Sequence, residues 1–234
     1  VKSETIAKPM HNIEKNLALV QQKIVQTARQ YQRDPQTITL LAVSKTKPLS
    51  DIQTALRCGQ HDFGENYLQE AEQKIIALAG YPIVWHYIGA IQSNKTRKIS
   101  ALFDWVHSVD RLKIARQLSE QRPPDKAPLN ILLQVNIDNE ASKSGIQVSE
   151  IDALAEQIEP LPRVRLRGLM AIPAIRETVQ QQHQTFRKMQ QALTRLQRLH
   201  PQCDTLSMGM SDDMQAAIAE GSTLVRIGTA IFGP

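Results

Sequence analysis

Cysteine is almost missing from this 234-residue chain: Cys58 and Cys203 stand far apart and in no metal-ligand spacing. Two such residues make neither a disulfide framework nor a zinc site, and a reducing cytoplasm is the expected setting. Aromatic residues are scarce, at 4%, which leaves few of the side chains that anchor permanent interfaces. No apolar run approaches the roughly 20 residues that cross a bilayer, and no secretory leader opens the sequence, so no membrane association is expected. The chain also lacks a P-loop, a Gly-x-Ser-x-Gly elbow and any His/carboxylate pair at metal spacing.

What charge there is leans basic, with a formal net of +5. The basic residues are spread along the chain; the densest groups, Lys95-Thr96-Arg97-Lys98 and Arg163/Arg165/Arg167, are not interleaved with aromatics. Nucleic-acid binding is therefore not expected. With 41% hydrophobic and 22% charged residues, the composition is that of a globular protein with a sizeable core.

Short β-branched or apolar runs alternate with helical patterns. Residues 8–30 place Ile13, Leu17, Val20, Ile24 and Ala28 on one helical face. The strand candidates are 37–45, 61–65, 83–89, 104–110, 129–137, 164–172, 204–210 and 223–233. Between them run helical patterns, with expected capping boxes at Ser50/Gln53 and Ser149/Asp152. Eight strands with interleaved helices predict a single (β/α)8 TIM barrel carrying an extra N-terminal helix. The rival, an open doubly wound sheet, would place a glycine-rich turn after the first strand, where this chain has Ser44-Lys45-Thr46-Lys47-Pro48.

In a barrel, functional groups sit at the C-terminal strand ends. Lys45 ends the first strand candidate, and desolvation there favours the neutral amine that attacks aldehydes. The plain alternative is a lysine reaching out over the rim. The runs 207–211 and 226–233 end strands seven and eight, whose loops often form a phosphate site. Gly209 and Gly228 let backbone approach an anion, Ser207, Ser211 and Thr229 offer hydroxyls, and Arg226 offers a fixed charge. Asp212 and Asp213 would compete with a phosphate unless they point away. Asn66 either orients a ligand or shapes a turn; His86 and His107 read as satisfied core histidines, Lys143 as a loop lysine and Met170 as core.

Eight segments together resemble the pyridoxal phosphate homeostasis protein family: LLAVSKTKP (40–48), FGENYLQEA (63–71), WHYIGAIQSNK (85–95), SVDR (108–111), QVNIDNEASKSG (134–145), RGLMAIPA (167–174), LSMGMSDDMQAAIAEGST (206–223) and VRIGTAIFG (225–233). They follow one another along nearly the whole chain. Residues 1–10 match nothing in the family and read as a variable or appended segment, with 11–234 as the pyridoxal 5′-phosphate (PLP) binding barrel domain. The resemblance implies a fold-type III barrel, similar to the N-terminal domain of alanine racemases, with PLP held as a Schiff base on Lys45. It further implies Arg226 on the pyridine nitrogen, Gly228 and Thr229 on the phosphate with Ser207, Met210 and Ser211 beside them, and Asn66 near the ring.

Racemases carry a second domain that supplies a base and a dimer interface, and this sequence ends directly after strand eight. The expectation is a cytoplasmic, monomeric PLP carrier in vitamin B6 and amino-acid homeostasis, without clear turnover. Its partners would be PLP, apo PLP enzymes and small amino acids. The alternative is a PLP-dependent amino-acid racemase or lyase.

Overall fold

β-Branched and leucine-rich strands here bury both faces, so they need helices outside and a filled lumen inside. The computed structural model describes residues 12–140 and 143–234. Eight parallel strands close in chain order: β1 (Thr39–Val43), β2 (Asp62–Glu65), β3 (Val84–Tyr87), β4 (Trp105–Val109), β5 (Leu129–Val135), β6 (Val164–Ala171), β7 (Thr205–Ser207) and β8 (Leu224–Ile227). Closure is made by β8 on β1, with Leu41 opposite Arg226 and Ala42 opposite Ile227. This is the expected barrel.

Helix α1 (Ile13–Gln30) precedes the barrel and buries Ile13, Leu17, Val20, Ile24 and Ala28, the face that the period predicts. Residues 8–11 of that expected helix, and the whole segment 1–10, lie outside the described residues. The outer helices are α2 (Leu49–Arg57), α3 (Leu68–Ala77), α4 (Thr96–Leu102), α5 (Leu112–Gln121), α6 (Ile151–Ile158), α7 (Val179–Leu199) and α8 (Met214–Ala219). A last short helix, α9 (Thr229–Phe232), follows β8.

Three local expectations are corrected. Helix α2 starts from Pro48 with no side-chain cap; Ser50 already lies inside its first turn, so the Ser50/Gln53 box does not form. The box before α6 is Gln147/Glu150, on a 3₁₀ turn at Val148–Glu150, rather than Ser149/Asp152. The last strand ends at Ile227, and residues 229–232 are helical. Gly228 breaks the run there, and its φ of −115° and ψ of −76° turn the chain away from the sheet. Both cysteines are free thiols, and burial pushes Cys203 up to about 12.

Candidate functional site

At the C-terminal ends of the strands lies a cavity of about 210 Å³. Its walls bring together Lys45, Asn66, Met210, Ser211, Arg226, Gly228 and Thr229 with Val43, Ile88, Met170 and Ile172. A second cavity of about 260 Å³ shares Asn66, Ile88 and Ile172 and reaches Lys143. Taken together, the two fall in the usual size range of small-molecule sites, roughly 300–1,000 Å³. Among the described residues, the 210 Å³ cavity is lined by no histidine, carboxylate or tyrosine.

Lys45 follows β1 after the buried Ser44, but its own side chain is exposed at the rim. The expectation of a desolvated ammonium is not met, because the strand ends two residues earlier, at Val43. What is buried is the frame behind it. Lys74, 5% exposed on α3, donates to the Ser44 carbonyl at 2.7 Å, to Glu65 Oε1 at 2.8 Å and to Glu70 Oε1 at 2.6 Å. Ser44 Oγ donates to the same Glu65 oxygen at 2.6 Å, and the Thr46 amide donates to Glu70 Oε1 at 2.6 Å. Thr46 carries φ +62°, a left-handed conformation costly for a β-branched residue. The residues on either side of Lys45 are thus clamped. Burial raises the Glu65 carboxyl against the opposing pull of Lys74 and Ser44.

Arg226 is the fixed charge of the site. Its Nη1 donates to Ser207 O at 2.8 Å and Oγ at 2.7 Å, and its Nη2 donates to Ala171 O at 2.9 Å. Five N–H groups against these three bonds leave two for a ligand in the cavity. Burial lowers its pKa to about 10, against the pull of Asp213, so the guanidinium remains cationic at neutral pH.

The residues expected to bind an anion separate. Ser207 is fully buried and is absent from the cavity wall, its hydroxyl accepting from Arg226 and facing His107 Nδ1 at 3.0 Å. The Met210 amide donates to Asp213 Oδ1 at 2.6 Å, so that amide is taken. The hydroxyls of Ser211 and Thr229 have no protein partner among the described residues. Helix α9 opens at Thr229, so its first amides lack intrahelical acceptors. The two glycines differ. A Cβ on Gly209 (φ +96°) would lie 2.5 Å from Ala217 Cβ, so Gly209 serves packing, and it is absent from the cavity wall. Gly228 lines the cavity, and a Cβ there would lie 3.2 Å from the Val43 carbonyl oxygen.

Asn66 Oδ1 is buried in the wall without a partner. A buried acceptor left unmade costs about 1–3 kcal/mol, so a donor-bearing ligand is the natural complement. A cation with spare donors, two free hydroxyls, an orphan amide oxygen and one lysine suit an aldehyde-bearing aromatic phosphate. Lys74 and Glu70 were missed from sequence; their spacing of four on α3 was the available signal.

The alanine racemase N-terminal domain family matches residues 11–234. The pyridoxal phosphate homeostasis protein of Escherichia coli K12 is 53% identical over 229 residues, covering 96% of this chain and 97% of that protein. The one from Pseudomonas aeruginosa PAO1 is 55% identical over 224 residues, covering 96% of each. Among solved structures, PipY of Synechococcus elongatus with PLP bound superposes with a TM-score of 0.82 at 34% identity, over 95% of this chain and 100% of that one. Alanine racemase from Corynebacterium glutamicum, at 17% identity and a TM-score of 0.69, shares the fold over 60% of its own chain. On this likeness along nearly its full length, the chain belongs to the pyridoxal phosphate homeostasis protein family, built on the alanine racemase N-terminal domain.

Proposed function

We propose that the protein binds PLP in the 210 Å³ cavity, with Lys45 as the covalent anchor, and holds it for exchange within vitamin B6 and amino-acid homeostasis. The observation that carries this reading is the convergence of Lys45, Arg226, Ser211 and Thr229 on that one cavity. Bound there, PLP would supply a reactive aldehyde that condenses reversibly with an amine, its carbonyl oxygen leaving as water. Arg226 offers one of its two spare N–H groups to the ring nitrogen. A cation that cannot give up its proton at neutral pH leaves that nitrogen unprotonated, which weakens electron withdrawal by the ring. Ser211, Thr229 and the first amides of α9, beginning at Gly228, take the phosphate. Asn66 orients a donor on the ring.

Turnover of an amino acid needs a second group that holds or moves a proton at the reacting carbon. Besides Lys45, the one other ionisable group of the cavity wall among the described residues is Arg226, whose charge is fixed. This favours a carrier over a racemase or lyase, in keeping with the homeostasis names of the relatives. The reading includes a cytoplasmic monomer whose recipients are apo PLP enzymes or small amines. Borohydride treatment of the loaded protein should fix the label on the Lys45 peptide, and holo-protein should restore an apo PLP enzyme. Labelling of Lys47 or Lys143 would overturn the anchor. Amino-acid turnover above that of free PLP, abolished by Lys45→Ala, would establish an enzyme instead.

A further inference from the structure

The lumen of this barrel is not filled by aliphatic layers alone. A continuous polar file crosses it, from the N-terminal mouth to the cofactor cavity. Asp62, first residue of β2, faces His86 Nε2 at 3.0 Å. His86 Nδ1 lies 3.0 Å from His107 Nε2, and His107 Nδ1 lies 3.0 Å from Ser207 Oγ. That last contact joins β4 to β7 across the interior, and Ser207 Oγ then meets Arg226 Nη1 at 2.7 Å. His86, His107, Ser207 and Arg226 are each no more than 5% exposed. At the far end, Asp62 lines a separate mouth cavity of about 290 Å³ with His86, Trp105, Arg167 and Asp204.

Proton bookkeeping gives this file one direction. Arg226 can only donate, so Ser207 Oγ accepts from it. The Ser207 proton is then free to go to His107 Nδ1, which must be unprotonated. A neutral His107 therefore carries its proton on Nε2 and donates to His86 Nδ1. That fixes His86 as the Nε2–H tautomer, donating to the Asp62 carboxylate. Every donor meets an acceptor, and the file runs from a buried cation to a carboxylate. Run the other way without an added proton, His86 would present a bare Nε2 to the Asp62 carboxylate, lone pair against charge. Burial, helped by the nearby Arg226 charge, drives His107 well below the ordinary histidine range, which keeps it neutral.

The surroundings leave Asp62 to this task. Arg167, the nearest cation at the mouth, is held by Asp204 at 2.6 Å and lies 4.9 Å over the Trp105 ring. His86 stacks on Trp105 itself, with ring centroids 5.6 Å apart at 8°. At the upper end Asp213 is the carboxylate whose charge acts directly on Arg226, and its Oδ1 also accepts from the Met210 amide.

We propose that Asp62, His86, His107 and Ser207 are positioning residues for Arg226: a proton-ordered chain through the barrel that holds the guanidinium in place for a ligand's ring nitrogen, with Asp62 as its remote counter-charge. The ring-nitrogen part rests on the proposed PLP reading. The chain itself does not.

Two measurements on the PLP-free protein test the chain. In ¹⁵N-labelled wild type, two-bond ¹H–¹⁵N correlations should show His86 and His107 both as Nε2–H tautomers at neutral pH. An Nδ1–H tautomer at His107, or an imidazolium at either, overturns the ordering. Asp62→Asn, at a half-exposed mouth position, should move the Arg226 Nε–H resonance, and Asp62→Glu should return it toward wild type. An unmoved resonance overturns the coupling. On the loaded protein, Asp62→Asn should shift the visible band and speed PLP loss at least threefold, while an unchanged band and rate overturn the positioning role. If wild type takes up no PLP, the cofactor reading fails, and the ligand-free measurements still judge the chain.

Discussion

Lys74 Nζ donates to the Ser44 carbonyl at 2.7 Å, holding the peptide that immediately precedes Lys45. The same ammonium pairs with the fully buried Glu65, so it is both a clamp and a counter-charge. Lys74→Met should lower stability by about 3–5 kcal/mol, because it leaves a buried carboxylate unpaired. Urea unfolding of the PLP-free protein measures this. Borohydride labelling of Lys45 should also slow in the variant, since Ser44 O loses its donor.

Removing the two unpartnered hydroxyls should separate ligand binding from folding. Ser211→Ala/Thr229→Ala should raise the PLP dissociation constant by roughly tenfold or more, as expected for lost hydrogen bonds to a charged group. The unfolding midpoint without PLP should stay within about 0.5 kcal/mol of wild type. Fluorescence titration and a melt in parallel decide it. A Ser207→Ala variant should behave in the opposite way, losing stability without PLP because a buried Arg226 N–H is left without its acceptor.

Gly209→Ala should cost about 2 kcal/mol or more. At φ +96° a side chain is strained, and its Cβ would meet Ala217 Cβ at 2.5 Å. Thermal unfolding of the PLP-free variant should show a clearly lowered Tm.

His107 makes stability pH-dependent in one direction. Its folded pKa is depressed well below 6.5, so between those values the unfolded state binds a proton that the native state refuses. The contribution is present above about pH 6.5 and is lost as pH falls, at up to about 1.4 kcal/mol per unit. His107→Asn should flatten this slope relative to wild type between about pH 6.5 and 5, as read from urea midpoints.

Light scattering at low micromolar protein should give the mass of one chain. With aromatics at 4%, the surface has few anchors for a permanent interface; a concentration-independent dimer would refute the expectation.

The sequence carried most of the fold and, of the eleven residues that line the 210 Å³ cavity, singled out seven as site residues. Apolar runs and helical periods locate every strand and the buried face of α1, because those signals come from burial on one element at a time. Boundaries slip where backbone geometry decides: Gly228 ends β8 early, and Gln147 rather than Ser149 starts the turn before α6. Lys45, Arg226, Ser211 and Thr229 are legible because they cluster at strand ends. The file through Asp62, His86, His107 and Ser207 is not, since its members come from β2, β3, β4 and β7 and meet only when the barrel closes. Each alone is a core polar residue, and only their order in space makes a chain.

Closure by β8 on β1 also has a consequence in time. Thr39 finds its partner Leu224 only when almost the entire chain is available, so the outer edge of β1 waits while the intervening strands are made. At roughly 5–20 residues per second, ribosomal synthesis leaves that edge unpaired for on the order of ten seconds or more. Long-range pairing of this kind folds slowly. The apolar edge of Leu40–Val43 is therefore the place where a nascent chain is most open to mispairing with another.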